Sequence, residues 1–211
     1  MKSIHNELQD VIIGNGRVSP AGKLKKTQNF LRRNASSSHR PEKQKSIKTE
    51  EAVRLIDFAG KEGLFYEGEI LRETFIASGA EQQVYRYDDY HVVKINDGIF
   101  YESWLDYFNN LLIHNYFFRS TAYDFLGFKI IDDVLFAVVK QEFIVADEVV
   151  DLIMVKNFLA YNGFQNTRNN DYYNPQLGLI FEDLHDENVL CRKGVLYFID
   201  TVFYVTDDFY K

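Results

Sequence analysis

The chain has 211 residues, 46% of them hydrophobic, with 24 Lys or Arg against 31 Asp or Glu for a net charge of −7. That is enough apolar material for one folded domain with a sizeable core. A single cysteine, Cys191, excludes an internal disulfide; no apolar run approaches a membrane span, and Met1-Lys2-Ser3-Ile4-His5 lacks a secretory pattern, so a cytoplasmic protein is expected.

The charge is uneven along the chain. Residues 1–50 hold eleven Lys or Arg against four acids, a net of +7 that leaves −14 for the remainder. Residues 1–48 read as a basic, flexible amino-terminal arm, with Asn34 to Pro41 as a linker and a short helix within Gly22 to Arg33 whose Leu24, Phe30 and Leu31 share a face. Such an arm either binds nucleic acid or another acidic partner, or rests as a solvated tail on the acidic body. The folded body is expected from Thr49, where Thr49-Glu50-Glu51-Ala52 has the form of a capped helix start and Val53, Ile56 and Phe58 or Ala59 form the apolar face.

Three antiparallel strands follow: Leu71 to Ser78, Gln83 to Tyr87 and Tyr90 to Ile95, separated by a break at Gly79-Ala80-Glu81-Gln82 and a turn at Asp88-Asp89. Lys94 lies in the third strand, inside Val92-Val93-Lys94-Ile95. Alternation puts Val92 and Lys94 on one face and Val93 and Ile95 on the other. A lysine among apolar neighbours needs an anionic partner, which phosphates would supply, unless it is an edge-strand lysine turned to solvent. A helix is predicted over Ile99 to Tyr116, striped by Trp104, Leu105, Phe108, Leu111 and Leu112. Glu102 is the first choice of partner for Lys94 and Asp106 the second, although an acid in a first helical turn also suits the helix dipole.

Further on come an apolar strand at Val134 to Val139, a helix at Asp147 to Tyr161 and a loop at Asn166 to Pro175. Then Phe181-Glu182-Asp183-Leu184-His185-Asp186-Glu187-Asn188-Val189-Leu190 is followed by Val195-Leu196-Tyr197-Phe198-Ile199-Asp200. The apolar runs Val189 to Cys191 and Val195 to Ile199, joined by Arg192-Lys193-Gly194, predict a hairpin. Closing it sets Asn188 beside Asp200, with Asp183 just upstream. One carboxylate for an incoming hydroxyl, and an amide and a carboxylate for a metal, are what magnesium-assisted phosphoryl transfer requires. Ordinary turn chemistry is the plainer explanation of the same Asp and Asn residues.

Taken together, Gly79-Ala80-Glu81-Gln82-Gln83-Val84-Tyr85, Lys94, Leu112-Ile113-His114-Asn115 and Asp183-Leu184-His185-Asp186-Glu187-Asn188-Val189-Leu190 resemble the polyvalent protein kinase-like domain of bacterial mobile elements and phages. The Asp-Leu-His loop is also similar to that of aminoglycoside and choline kinases. The resemblance spans roughly residues 50 to 205. It implies a two-lobed α+β kinase-like fold: an antiparallel amino-terminal sheet with one helix over 49–142, and a reduced second lobe over 143–211. It further implies ATP and Mg2+ as cofactors. Asp183 would align the acceptor hydroxyl, Asn188 and Asp200 would hold the metal, and Lys94 would bind phosphate. Gly79 would begin the loop over the triphosphate, Val92 would pack on adenine, and Gln141-Glu142-Phe143 would be the hinge.

The sequence departs from that pattern in several places. The phosphate loop has one glycine, Asp200 is followed by Thr201-Val202, Phe181 stands two residues before Asp183, and only Thr201 to Lys211 follow Asp200. The expected function is therefore an ATP- and magnesium-dependent phosphotransferase with an unknown protein or small-molecule acceptor. The alternatives are a pseudokinase or nucleotide-binding interaction module, or a hydrolytic metal site at Asp183, His185 and Asp186.

Overall fold

A computed structural model describes residues 3–14, 22–35, 41–79 and 82–211, apart from the side chains of 41–46. The chain divides into two compact units, one of residues 19–108 with 123–143 and the other of residues 1–18, 109–122 and 144–211.

The first unit is built on a five-stranded antiparallel sheet, in the order β1-β2-β3-β5-β4. Its strands are β1 (Phe75–Ser78), β2 (Gln82–Arg86), β3 (His91–Asn96), β4 (Asp124–Ile131) and β5 (Val134–Glu142). β4 turns into β5 at Asp132 and Asp133, both at positive φ, as a two-residue hairpin requires. The sheet carries apolar side chains on both faces. Val93, Ile95 and Val138 pack together, as alternation from Lys94 predicts. Trp104, Phe108, Phe125 and Phe128 form a separate edge-to-face group, with Phe108 and Phe125 centroids 5.1 Å apart. β4 bulges between Phe125 and Gly127. There the chain at Leu64 comes so close that a Cβ on Gly127 would meet its carbonyl oxygen at 2.2 Å.

The amino-terminal segment differs from the expected flexible arm. Helix α1 (Ile4–Ile13) buries Leu8 and Ile12, and helix α2 (Lys23–Asn34) buries Leu24 and Leu31 while Phe30 stacks on Phe58 with centroids 4.1 Å apart. Lys25 is buried too, and burial followed by repulsion from Arg32 pushes its pKa down to about 8. The linker expected from Asn34 to Pro41 lies mostly outside the described residues, since 36–40 are not among them. Helix α3 (Pro41–Glu62) already begins at Pro41, so Thr49 is mid-helix rather than a cap. Its inward face is Glu51, Leu55 and Ala59, one turn apart, while Val53 is exposed.

Helix α4 (Trp104–Phe117) starts five residues later than Ile99. The physical reason is local. Asn96 Oδ1 accepts the Gly98 amide at 2.6 Å, Asp97 Oδ1 accepts the Ile99 amide at 2.9 Å, and Gly98 sits at φ 68°, so the chain turns before it coils. Lys48 Nζ then donates to the carbonyls of Gly98, Ile99 and Tyr101, each within 2.8 Å.

In the second unit, a four-stranded antiparallel sheet has the order β11-β8-β7-β6, and a two-stranded hairpin pairs β9 with β10. The strands are β6 (Gln165–Arg168), β7 (Asp171–Asn174), β8 (Leu179–Glu182), β9 (Val189–Arg192), β10 (Val195–Phe198) and β11 (Val202–Val205). The loop expected at Asn166 to Pro175 is thus largely the β6–β7 hairpin. Helix α5 (Leu152–Tyr161) begins after an Asp151 cap that accepts the Ile153 amide at 2.8 Å, later than the predicted Asp147. The segment before it is extended and bridges Glu148 to Cys191. This half is therefore richer in strands than a helical lobe. Its core gathers Leu8, Ile12, Ile113, Val155, Leu159, Phe181, Phe198 and Phe203.

Candidate active site

Two features of β8 and β11 place the loop residues. β8 pairs with β11 so that Glu182 faces Val202, which sets Asp183 and Thr201, each one residue beyond that pair, at the same end of the sheet. Between them β9 and β10 close the expected hairpin. Its turn is the two residues Lys193 and Gly194, both at positive φ, rather than three, because Arg192 still pairs with Val195. At the other end Asn188 O accepts the amides of Ile199 at 3.0 Å and Asp200 at 3.4 Å. Asn188 and Asp200 are therefore neighbours, as the hairpin argument requires.

Asp183 joins them through Asn188, whose Nδ2 donates to the Asp183 carbonyl at 2.8 Å and to its Oδ2 at 2.9 Å. An amide that donates through Nδ2 in this way turns its Oδ1 away from Asp183. Asp183 itself is held in the left-handed region, φ 65°. Its amide donates to Asp171 Oδ1 at 3.2 Å, and the Leu184 amide donates to Asn170 O at 3.2 Å. The strained turn is thus tied on both sides by the β6–β7 hairpin. His185 completes the loop. Its Nδ1 accepts the Glu187 amide at 3.2 Å, while its Nε2 lies 3.1 Å from Asn188 Nδ2 and 3.3 Å from Asp183 Oδ1.

Asp171 and Glu182 are the site neighbours that the sequence reading missed. The polar Gln165-Asn166-Thr167-Arg168 strand hides the hairpin pattern; the available signal was the Asn169-Asn170 turn before the alternating Asp171-Tyr172-Tyr173-Asn174. Together with Thr167, Arg168, Tyr173, Ile180 and Thr206, they line an open groove of about 500 Å3 on the sheet face beside Asp183. Burial first, and then repulsion from Asp171 and Asp183, raise the Glu182 pKa above the usual carboxylate range. No three His, Cys, Asp or Glu side chains among the described residues are arranged to hold a metal ion.

The residues assigned to nucleotide lie in the sheet unit. Lys94 is 4% exposed, with its Nζ 5.5 Å from the centroid of the Tyr123 ring, and stands opposite Val84 on β2 and Val139 on β5. It is a central-strand lysine, so the solvent-facing edge explanation does not hold. Val92 is buried two residues before it and pairs with Gln141, itself buried. Phe143 lies under the Arg86 guanidinium, 3.9 Å from the ring centroid, and its amide donates to Tyr90 O at 2.7 Å. Glu142 belongs to β5, so two of the three expected hinge residues are sheet-paired. The Gly79 amide donates to Gln82 O at 3.0 Å; Ala80 and Glu81 of the expected phosphate loop lie outside the described residues.

Glu102 is exposed and precedes α4 rather than sitting in its first turn. Asp106, the second choice, is in that turn and exchanges hydrogen bonds with Ser103: its amide donates to Ser103 Oγ, which donates to Asp106 Oδ2 at 2.7 Å. A further acid, Glu51 on α3, accepts the Trp104 amide at 2.7 Å. Burial is the main reason its pKa rises to about 7.

No helix among the described residues is long and apolar enough to cross a membrane. Among curated proteins and solved structures, no significant match to the chain is found. A family model described as serine/threonine/tyrosine kinase found in polyvalent proteins matches residues 48–207, which take in both the Lys94 strand and the loop from Asp183 to Asp200. With a match over most of its length, the chain belongs to this kinase family.

Proposed function

We propose that the chain is an ATP- and magnesium-dependent phosphotransferase that moves the terminal phosphoryl group of the nucleotide to a hydroxyl acceptor. The observation that carries this reading is the closed β9–β10 hairpin, which brings Asn188 to Asp200 and, through the Asn188 amide, to Asp183. The donor set suits the metal, since a carboxylate and an amide oxygen are hard ligands of the kind Mg2+ takes beside substrate phosphates. Asn188 and Asp200 would hold it, and bound there it would neutralise phosphate charge.

In this reading Asp183 orients the acceptor hydroxyl and takes its proton as the acceptor oxygen bonds to the terminal phosphorus and the bond to the bridging oxygen breaks, releasing ADP. The His185 ring, against both Asp183 and Asn188, would help hold the two side chains in place. The groove along Glu182 and Asp171 would receive the acceptor. From the sheet unit, Lys94 would bind phosphate, Val92 would pack on the base, Gly79 would open the phosphate loop, and the Gln141–Phe143 segment would border the base. Glu102 or Asp106 would balance Lys94.

Two variants test the reading. With magnesium and ATP at about 100 times the dissociation constant, a binder gains about 2.7 kcal/mol in thermal stability. Wild type should show that gain and Asp200→Ala should lose its magnesium-dependent part. Asp183→Ala should keep the gain while losing turnover. Wild-type turnover in Asp183→Ala would refute the role of that residue. Binding without turnover in wild type itself would make the chain a nucleotide-binding module.

A further inference from the structure

On one face of α4, Asn110 and His114 are four residues apart, and both are completely buried polar groups inside the second unit. Both bind the chain that runs past Asp200. Asn110 Oδ1 accepts the Phe203 amide at 2.9 Å. His114 Nε2 lies 2.8 Å from the Thr121 carbonyl, which can only accept, so that nitrogen carries the proton. Nδ1 is then an acceptor, and Thr201 Oγ1 donates to it at 2.7 Å. The loop is completed by Thr121 Oγ1, which donates to Phe198 O at 2.6 Å. A single imidazole therefore ties down both flanks of Asp200: Thr201 directly, and Phe198 through Thr121.

We infer that His114 is a positioning residue, which acts through Thr201 and Thr121 to fix the backbone of 198–201 and so the direction of the Asp200 carboxylate. The inference rests on the reading of Asp200 as a magnesium-holding residue. The geometry favours positioning over plain packing. An apolar side chain would fill the same volume, whereas three buried polar groups at 0–1% exposure must each find partners, and the bonds this cluster makes join Thr201 and the Phe198 carbonyl, on either side of Asp200, to the Thr121 turn. The residue following Asp200 is a threonine for the same reason: its hydroxyl is what the imidazole accepts from. Groups that hold a metal-binding side chain in place commonly change metal affinity 10–100-fold when removed.

The test uses Thr201, because His114→Ala would leave a cavity and several unpaired groups. Thr201→Val keeps the shape and removes only the hydroxyl, and Thr201→Ser keeps the hydroxyl. Magnesium affinity is measured in the full chain by titrating Mg2+ at a fixed saturating concentration of a non-hydrolysable ATP analogue and following heat release, so that no turnover is needed. Unliganded melting temperatures are recorded alongside. The expected result is at least tenfold weaker magnesium binding in Thr201→Val, recovery in Thr201→Ser, and unchanged binding of the analogue without metal. A lower melting temperature with wild-type magnesium affinity would reduce the cluster to packing and overturn the inference. If magnesium has no effect in wild type, or binds equally to Asp200→Ala, the reading of Asp200 falls and the inference falls with it. Loss in Asp200→Ala with none in Thr201→Val overturns the inference alone.

Discussion

Replacing Glu51 by glutamine isolates one buried charge with a calculable effect. The carboxyl sits on α3 and accepts the amide of Trp104, the first residue of α4. Burial is the largest influence on it, the Trp104 amide pulls the other way, and Asp106 adds repulsion, so its pKa rises from an ordinary 4.5 to about 7. At about 1.4 kcal/mol per tenfold change in proton affinity, that corresponds to about 3 kcal/mol. The sign follows from which state binds the proton more tightly. Between pH 4.5 and 7 the folded protein holds a proton that the unfolded chain releases. This stabilisation is full below pH 4.5 and is lost as pH rises through 7. Glutamine still offers Oε1 to the Trp104 amide but carries no charge, so the variant should lack this slope. Denaturant titrations of both proteins at pH 5 and pH 8 measure it. The variant should gain up to about 3 kcal/mol over wild type on going from pH 5 to pH 8, roughly 6–12 °C in melting temperature for a chain of this size. Titrating groups remote from Glu51 are common to both proteins and cancel. A variant equally destabilised at the two pH values would show that Glu51 acts only through its hydrogen bond, and the argument from burial would fail.

Two glycines at similar φ separate backbone strain from close approach. Gly178→Ala should unfold the protein or cost several kcal/mol, because its Cβ would lie 2.2 Å from the Phe209 amide nitrogen, while Gly194→Ala, with nothing within 4 Å, should cost about 1 kcal/mol in the same melt. Leu8→Ala, deleting a side chain with no exposed surface in the core of the second unit, should lower stability by about 2–5 kcal/mol; a loss under 0.5 kcal/mol would mean that α1 is not part of that core. Asp151→Ala should cost about 1 kcal/mol through loss of the α5 cap, and Asp151→Asn should restore most of it.

The parts of the fold written in local chemistry were legible. Arg192-Lys193-Gly194 between two apolar runs announces a hairpin, and alternation about Lys94 sorts the two faces of β3. What the sequence concealed depends on distant partners. Ile99, Phe100 and Tyr101 fall inside the helix expected from Ile99, yet Lys48 on α3 captures the carbonyls of Gly98, Ile99 and Tyr101. β6 is a polar edge strand, every residue exposed, so periodicity has nothing to report there. Glu51 looked like a first-turn acid of its own helix and instead caps another. The site followed the same division. Asn188 beside Asp200 is a consequence of strand pairing, whereas the positive φ of Asp183 and its anchor on Asp171 come from a sheet whose edge was not visible.

The same hairpin bears on how this site varies in sequence. Its turn lies beyond the Arg192–Val195 pair, whereas Asn188 and Asp200 flank the opposite end, beside the Val189–Phe198 pair. The distance between the two side chains is set by strand pairing and not by how many residues separate them. Equal extension of β9 and β10, or extra chain inserted between Lys193 and Gly194, lengthens the interval in sequence and leaves the spatial pair untouched, at the loss of one exposed bond from the Lys193 amide to Asp147. A search for related chains that demands a fixed gap between this asparagine and this aspartate would discard true members. The turn is also the place to graft a reporter that senses the loop without entering it.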